Sequence, residues 1–261
     1  MIKLIASDID GTLVREGTTE INREIFEVLL KLKEKGIQFA AASGRHRTSI
    51  ENLFAPVKKR IFYISDNGAS IGTENRHLFS YKLDKEICRE LILAMRENPN
   101  FLVIAACRDS YYTDYPDKRI IGWVKEGYKA DIRLVEDLLE LDEEILKISA
   151  YSRLPVYEQG AYLIERFRGR LSVKYAGEMW LDCMNEGVSK GSAIKLLQDS
   201  LGIAPEETMV FGDQWNDIEM FQSAYYSYAM ANAVEEAKKA ARFEADSIEN
   251  DGVLKILKLL L

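Results

Sequence analysis

Residues 1–12 read Met-Ile-Lys-Leu-Ile-Ala-Ser-Asp-Ile-Asp-Gly-Thr, and this stretch decides the fold. An apolar run over residues 2–7 stops abruptly at Asp8, and a second aspartate, Asp10, is followed by a glycine. A short apolar run that ends in a polar loop is typical of a buried parallel strand. In open α/β sheets, ligands bind at the carboxyl ends of such strands. The stretch therefore predicts a first strand with the chemistry of the protein at its carboxyl end.

Strands and helices continue to alternate on both sides of a long central segment. Short links between alternating strands and helices indicate right-handed parallel crossovers. The predicted elements are strands at 2–7, 37–42, 61–64, 208–211 and 225–230 and helices at 22–35, 189–201 and 253–261. Together they predict an α/β protein with a Rossmann-like core built around a parallel sheet.

Residues 82–184 have a different texture. Helix-like runs at 84–97 and 156–167 separate strand-like runs at 101–106, 145–151 and 171–174. An insertion is tolerated where its two ends return to one scaffold close together. We therefore predict a core domain of residues 1–81 and 185–261, with residues 82–184 forming an inserted α+β cap domain that roofs the site. The acidic stretch 136–144 is predicted to be the solvated face of a helix.

Composition and charge exclude several classes of protein. The 261 residues are 47% hydrophobic, which argues against disorder, and the net charge of −7 argues against a nucleic-acid partner or an anionic membrane. Cys88, Cys107 and Cys183 are far apart and accompany only two histidines, so neither disulfides nor a Cys/His zinc site are predicted. The amino terminus lacks a signal-peptide core, and no apolar run approaches the ~20 residues of a membrane helix. We expect a cytoplasmic protein, monomeric or in a small homo-oligomer.

Two acidic clusters follow predicted strands. If Asp8 and Asp10 stay in strand conformation, their side chains share a face about 6.6 Å apart, twice the rise per residue. Asp213, Asn216 and Asp217 follow a later strand and are expected at the same sheet edge. Oxygen ligands without histidine select a hard cation, and Mg²⁺ fits best because it takes few carboxylates together with waters and phosphate oxygens. Ca²⁺ is the weaker alternative, since the sequence has no EF-hand pattern.

Taken singly, each motif has another interpretation. Asp8 and Asp10 before a glycine also fit an Asx-turn or, less well, the carboxylate pair of a glycosidase. Ser43 and Gly44 offer a hydroxyl and backbone N–H groups that suit a phosphate oxygen. Lys190 begins a predicted helix, where the helix dipole disfavours a cation, so it is either a surface lysine or needs an anionic partner.

In combination, these motifs resemble the four signatures of the haloacid dehalogenase-like superfamily of phosphatases. The signatures are matched, in order, by Asp8-x-Asp10-Gly-Thr12, Ser43-Gly-Arg45, Lys190-Gly191 and Gly212-Asp213-x-x-Asn216-Asp217. The insert between the second and third signatures resembles the type IIB cap of the Cof-like branch. The resemblance covers nearly the whole chain and implies the fold of that superfamily.

The resemblance also implies a role for each matched acid. Asp8 would be the nucleophile that forms an aspartyl-phosphate, and Asp10 would be the general acid and base. Mg²⁺ would be bound by Asp8, by the backbone carbonyl of Asp10 and by Asp213. Asp217 would hold the water shell of the metal or anchor Lys190.

The phosphate would be bound by the remaining matched residues. These are Ser43, Gly44, Asn216 and Lys190, of which Lys190 would bridge the phosphate and the nucleophile. Ser43 stands where the family more often has threonine, which preserves the hydroxyl. Ala231 stands where glycine is usual, which affects only the loop around Asn232.

The predicted cap is expected to select the substrate, because the motifs above recognise only phosphate and metal. Its candidate contacts are polar or aromatic: Arg108, Tyr111, Tyr112, Tyr115, Trp180 and Asp182. Aromatic residues of this kind also suit a core or a domain interface. We predict a Mg²⁺-dependent phosphatase of small phosphorylated metabolites, with sugar phosphates as substrates. A transferase of phosphomutase type and a non-catalytic sensor of phosphometabolites are the alternatives.

Overall fold

The computed structural model describes residues 1–74 and 76–261. Its strands are β1 (Leu4–Ser7), β2 (Gln38–Ala42), β3 (Phe62–Ser65), β4 (Ser70–Thr73), β5 (Arg76–Ser80), β6 (Leu102–Cys107), β7 (Tyr111–Thr113), β8 (Ile132–Leu134), β9 (Ile145–Tyr151), β10 (Leu171–Tyr175), β11 (Trp180–Asn185), β12 (Thr208–Gly212), β13 (Tyr226–Met230) and β14 (Phe243–Ala245). Its α-helices are α1 (Glu24–Glu34), α2 (Arg47–Leu53), α3 (Lys85–Arg96), α4 (Lys118–Tyr128), α5 (Val156–Gln159), α6 (Ala161–Arg166), α7 (Lys190–Leu201), α8 (Ile218–Gln222), α9 (Glu235–Ala240) and α10 (Gly252–Lys258).

The first sheet has the strand order β14-β13-β12-β1-β2-β3-β4-β5. Its strands from β14 to β3 are parallel. Leu4, Ile5 and Ala6 of β1 are fully buried, as expected for a central parallel strand that is covered on both faces. The predicted α/β fold with a parallel sheet is therefore confirmed. Because β1 pairs with both β2 and β12, the carboxyl ends of these three strands lie side by side.

Two strands that the sequence did not predict extend this sheet beyond β3. Strands β4 and β5 each run antiparallel to their neighbour. β4 has only four residues, and most of β5 is exposed to solvent. Neither strand therefore contains the apolar run by which the other strands were predicted.

The second sheet is formed entirely by residues between β5 and α7, in the order β10-β11-β9-β6-β7-β8. Within the described ranges its strands pair antiparallel except for β7 with β8. Helices α3, α5 and α6 contribute to the hydrophobic cluster on one face, and α4 packs against the other. The segment thus combines helices with a mainly antiparallel sheet, while its role as a separate cap domain stays a prediction.

Helix α4 and strands β7, β8 and β11 of the inserted segment were not predicted, and two of the predictions made there are wrong. The helix predicted at 156–167 is two helices, α5 and α6, separated at Gly160, where a Cβ would lie only 2.8 Å from Leu181 of β11. The stretch 136–144 is a loop with one 3-10 turn at Leu138–Glu140. Only Leu138 of this stretch is fully buried, so it lacks the apolar stripe that a helix needs for packing.

The structure also describes the cysteines and the helices, for which the sequence predicted neither disulfides nor membrane-spanning segments. Cys88, Cys107 and Cys183 are buried in the inserted segment and are unpaired. Across residues 1–74 and 76–261, every helix falls short of the length and apolarity that crossing a membrane requires.

Candidate active site

The carboxyl ends of β1 and β12 form the floor of the candidate site. Ser7 lies beside Phe211 in the parallel register, so Asp8 and Asp213 follow neighbouring strands at the same sheet edge. The backbone N–H of Asp8 donates to the Phe211 carbonyl at 2.9 Å. Helix α7 brings its first residue, Lys190, to this edge as well.

Lys190 lies between two carboxylates. Its Nζ donates to Asp8 Oδ1 at 2.6 Å and to Asp217 Oδ1 at 2.7 Å, and its side chain is fully buried. Ser189 and Ser192 form a reciprocal capping box that starts α7 immediately before the lysine. The cation that the helix dipole disfavours thus has the anionic partners that its position requires.

Backbone and hydroxyl donors hold the other two acids in place. Asp217 Oδ2 accepts from the N–H groups of Asp213 and Gln214, at 2.9 and 3.0 Å. Thr12 Oγ1 donates to Asp213 Oδ1 at 2.7 Å. Gly11 is required beside this carboxylate, because its φ is +81° and a Cβ there would lie 2.2 Å from Asp213 Oδ2.

The loop around Asn232, where the sequence departs from the family pattern, also supports the first motif. Asn232 Nδ2 donates to the Gly11 carbonyl at 2.8 Å, and its Oδ1 accepts from the Ile248 N–H at 3.0 Å. Ala231 in place of glycine is therefore compatible with a loop that reaches the glycine after Asp10.

The acidic cluster carries more negative charge than its lysine neutralises. Burial raises the pKa of Asp8 well above its ordinary value, and the Asp217 carboxylate raises it further, while Lys190 lowers it. Burial, and then Asp217, raises the pKa of Asp213 to about 7. Burial opposes the charged form of Lys190, but Asp217 and Asp8 raise the pKa of its ammonium above the ordinary value. With all three acids ionised, two negative charges stay uncompensated in a buried site.

This excess of negative charge fits a bound dication. One carboxylate oxygen from each of Asp8, Asp213 and Asp217 lies within 4.8 Å of the others. Asp8 Oδ2 accepts no hydrogen bond from the described residues, so it is available as a ligand or as a nucleophile. Asp217 has both oxygens engaged, which suits the anchoring of Lys190 better than direct metal binding. An all-oxygen donor set of this kind fits a hard cation such as Mg²⁺.

Asp10 is held by Arg45 and not by the acidic cluster. Strand β1 ends at Ser7, so Asp8 and Asp10 do not share a continuous strand and the spacing predicted for one does not apply. Arg45 Nε and Nη2 donate to the two oxygens of Asp10 at 2.8 and 2.7 Å, and Nη2 also donates to the Thr18 carbonyl at 2.6 Å. The remaining nitrogen, Nη1, is buried and has no hydrogen-bond partner among the described residues.

Ser43, Gly44 and Asn216 border the same cavity as the two acids of the first motif. Ser43 follows β2, and its Oγ accepts from the Arg45 N–H at 3.1 Å. Asn216 Nδ2 donates to Asn67 Oδ1 at 2.9 Å. The structure thus brings all the residues of the four motifs that were predicted as site residues to one sheet edge.

A cavity of about 110 Å³ lies between this edge and the second sheet. Of the predicted cap contacts, Tyr111, Trp180 and Asp182 line it. Arg108 and Tyr115 are exposed and do not. Tyr112 packs into the hydrophobic cluster on the far face of the second sheet. Neighbouring residues of a strand point to opposite faces, which is why Tyr111 borders the cavity and Tyr112 does not.

Several cavity residues were not identified from sequence. Lys147 and Ser149 lie two residues apart on β9, so both point from the same face into the cavity. Tyr128, the last residue of α4, and Glu16, which follows the first motif, also line the cavity. The Tyr128 ring lies 5.0 Å from the guanidinium carbon of Arg45. The sequence contained one feature that could have indicated Lys147 and Ser149: two polar residues at strand spacing inside the apolar run 145–151.

Comparison with known proteins identifies the family. The profile of the haloacid dehalogenase-like hydrolases matches residues 5–257. The chain belongs to the haloacid dehalogenase-like hydrolase family. Along its full length it is 29% identical to the 5-amino-6-(5-phospho-D-ribitylamino)uracil phosphatase YbjI of Escherichia coli, of which 96% is covered.

Two solved structures are similar over the same extent. One, from Eubacterium rectale, is 35% identical, with a TM-score of 0.87 and coverage of 100% of this chain and 99% of the other. The second, SMU.1108c from Streptococcus mutans, is 26% identical, with a TM-score of 0.90 and the same coverage. The resemblance to phosphatases of the Cof-like branch is confirmed, and so is the enzyme class, a phosphatase.

Proposed function

We propose that this family member is a Mg²⁺-dependent phosphatase of small phosphorylated metabolites, with sugar phosphates as its substrate class. The observation that carries the proposal is the buried contact of Lys190 with Asp8 and Asp217, beside Asp213. A nucleophilic carboxylate repels a phosphate, so the reaction needs positive charge at this point. Mg²⁺ bound by Asp8, the carbonyl of Asp10 and Asp213 would supply that charge and orient the phosphoryl oxygens.

In the first half-reaction, Asp8 Oδ2 attacks phosphorus and the bond from phosphorus to the ester oxygen breaks. Asp10 donates a proton to the departing alkoxide, and Arg45 holds the Asp10 carboxyl at the wall of the cavity. Ser43, Gly44 and Asn216 bind the phosphoryl oxygens that Lys190 does not reach. In the second half-reaction, water attacks phosphorus and Asp10 takes its proton, while the bond from phosphorus to Asp8 Oδ2 breaks, which releases inorganic phosphate and regenerates the Asp8 carboxylate.

The cavity supports a leaving group rich in hydroxyls. Arg45 Nη1 is a buried donor without a hydrogen-bond partner among the described residues, and a substrate oxygen would satisfy it. Residues 82–184 act as the cap in this proposal, and their Tyr111 and Trp180 give the cavity an aromatic wall. A sugar presents both hydroxyls and a stacking face to such a wall.

The aromatic wall favours a second candidate, a phosphorylated polyol that carries a planar ring. Tyr128 and Trp180 border the cavity with their rings 6.1 Å apart and nearly perpendicular. The substrate that names the Escherichia coli relative, 5-amino-6-(5-phospho-D-ribitylamino)uracil, combines a polyol phosphate with a planar ring. A higher kcat/KM for this ester than for hexose phosphates would favour the second candidate.

The test of the function is phosphate release from a panel of sugar phosphates, polyol phosphates, nucleotides and p-nitrophenyl phosphate, with Mg²⁺ or with EDTA. Release that needs Mg²⁺ supports the proposal, and release undiminished by EDTA contradicts the metal dependence. In ¹⁸O-labelled water, hydrolysis places solvent oxygen in free phosphate. A phosphomutase would instead produce an isomeric ester without free phosphate, and a sensor would bind the ester without turnover.

The raised pKa of Asp213 predicts how stability depends on pH without metal. Its folded pKa of about 7 exceeds the ordinary 3.8, so the folded state binds this proton more tightly than the unfolded state. The stability that the proton confers is complete below pH 4 and is lost as pH rises through 7. In EDTA, the melting temperature of the wild type should therefore fall relative to Asp213→Asn between pH 5 and pH 8.

Mg²⁺ at pH 8 should raise the melting temperature of the wild type more than that of Asp213→Asn. Asp199→Asn serves as the control, because Asp199 is exposed on α7. If the melting temperatures of all three proteins changed with pH in the same way, the assignment of the raised pKa to Asp213 would be wrong.

A further inference from the structure

Strands β9 and β11 place a charged pair in the interior, apart from the acidic cluster that surrounds Lys190. Lys147, Ser149 and Asp182 are each at most 3% exposed. Ser149 lies directly opposite Asp182 in the antiparallel register, and Lys147 shares the face of Ser149 two residues away. Lys147 Nζ is 3.2 Å from Asp182 Oδ2. A buried ion pair of this kind is seldom a net gain in stability over apolar residues, so its presence points to another role.

The pair makes its remaining contacts across the boundary between the two sheets. Lys147 Nζ donates to the carbonyl of Gly44 at 2.6 Å and lies 3.5 Å from Asp66 Oδ1. Asp182 Oδ2 accepts from Asn67 Nδ2 at 2.5 Å. The inserted segment therefore touches the core through buried, charge-assisted hydrogen bonds at the loops that follow β2 and β3.

The first of these contacts orients the loop proposed to bind phosphate. The Gly44 carbonyl belongs to the same planar peptide unit as the Arg45 N–H, so a bond to one sets the direction of the other. That N–H donates to Ser43 Oγ, and the Arg45 side chain holds Asp10. Lys147 thereby fixes the peptide on which the positions of Ser43 and Asp10 depend.

The second contact reaches Asn216 through one intervening side chain. Asn67 donates to Asp182 with Nδ2 and accepts from Asn216 with Oδ1 at 2.9 Å, so both ends of its amide are engaged. Its backbone is in the left-handed region, with φ of 55°, and asparagine tolerates this region better than most residues. A Cβ at position 44 would lie 3.3–3.4 Å from Asn67 and Asp182, so the glycine lets this bridge pass close to the loop.

Direct binding of substrate by the pair is disfavoured because other groups already occupy most of its hydrogen-bonding capacity. Asp182 Oδ1 accepts from Ser149 at 2.6 Å, and Oδ2 accepts from both Asn67 and Lys147. The Lys147 ammonium donates to Gly44 and Asp182, and it lies 3.5 Å from Asp66 Oδ1, which has no hydrogen-bond partner among the described residues. Little capacity remains for a sugar hydroxyl, although both side chains border the cavity.

We infer that Lys147 and Asp182 are positioning residues, through which the docked inserted segment aligns Gly44 and Asn216 with the phosphoryl group. The inference rests on the proposed function, because Gly44 and Asn216 bind phosphate only in that proposal. In this inference the inserted segment has two roles: Lys147 and Asp182 align the phosphate-binding residues, whereas Tyr111 and Trp180 contact the leaving group. Loss of either residue should therefore harm every phosphate ester alike.

The test compares Lys147→Met and the isosteric Asp182→Asn with the wild type on a sugar phosphate and on p-nitrophenyl phosphate. We expect kcat to fall about 10- to 100-fold on both esters, as for a misplaced reacting group. The affinity for inorganic phosphate with Mg²⁺, measured by calorimetry, should fall about 3- to 10-fold, as for one weakened hydrogen bond. Lys85→Met is the control, since Lys85 pairs with Asp142 on the exposed surface of the same segment.

A loss confined to the sugar phosphate, with phosphate affinity unchanged, would overturn the inference and make the pair a leaving-group contact. Wild-type kcat in both variants would also overturn it. Asp182→Asn keeps the shape of the side chain, so it provides the answer if Lys147→Met does not fold. Failure of the proposed function gives a different result: the wild type releases no phosphate, or Asp8→Asn releases as much as the wild type. In that case the affinity of the variants for inorganic phosphate tests the inference by itself.

Discussion

Asp8→Asn should abolish phosphate release, lowering kcat by at least about 10³-fold, because the amide cannot form the aspartyl-phosphate. The structure leaves Asp8 Oδ2 without a hydrogen bond from the described residues while Oδ1 is held by Lys190. The substitution removes one of three buried carboxylates, the one whose pKa is raised by burial and then by repulsion from Asp217. We therefore expect the melting temperature of the variant to equal or exceed that of the wild type, measured in EDTA at pH 8.

The two readouts together separate a lost nucleophile from a lost fold. Asp142→Asn is the matched control, since the Asp142 carboxylate is almost entirely exposed in the inserted segment. It should leave both kcat and the melting temperature unchanged. More than a few per cent of wild-type turnover in Asp8→Asn, with contaminating phosphatase excluded, would rule out this nucleophile.

The meeting of Asp8 with Asp213 is the part of the site that sequence predicts best. Each residue follows a short apolar run that is typical of a buried strand, and parallel neighbours end at the same sheet edge. That Asp8 and Asp213 lie close together could be predicted without knowing which way either side chain points. Lys190 alone left two interpretations open, a surface lysine or a cation with an anionic partner, and only its combination with the other motifs favoured the second.

The cap contacts were less predictable because they depend on which face of a strand each side chain occupies. Tyr111 and Tyr112 lie in a strand of three residues, too short to show an alternating pattern. A shift of register by one residue exchanges the two faces. Tyr111 borders the cavity, and Tyr112 packs into the hydrophobic cluster on the other face of the sheet. The sequence around the two tyrosines does not show which of them faces the cavity.

Lys147 could not be placed from sequence for a different reason. Its spacing from Ser149 shows that the two share a face of β9, but its partner Gly44 is 103 residues away, in the loop that follows β2 of the other sheet. The contact exists only because the inserted segment docks on the core. A local pattern carries no information about that docking, which is why the positioning pair emerges only from the structure.

Lys190→Met should lower both turnover and stability. Loss of the cation that lies between Asp8 and Asp217 removes a donor for the phosphoryl group, so kcat should fall about 10²–10³-fold. It also leaves two buried carboxylates without their partner, which costs about 3–5 kcal/mol for a broken buried ion pair. The loss of stability should be larger at pH 8 than at pH 5, because protonation relieves carboxylates whose pKa burial has raised.

This pairing of effects distinguishes Lys190 from Asp8, whose replacement lowers turnover but spares stability. Lys195→Met is the control, since Lys195 lies five residues further along the same helix, α7, and is exposed. Melting curves of both variants at pH 5 and pH 8, in EDTA, measure the effect. A Lys190→Met protein as stable as Lys195→Met at pH 8 would show that the acids do not depend on the lysine, and the charge balance argued for the site would be wrong.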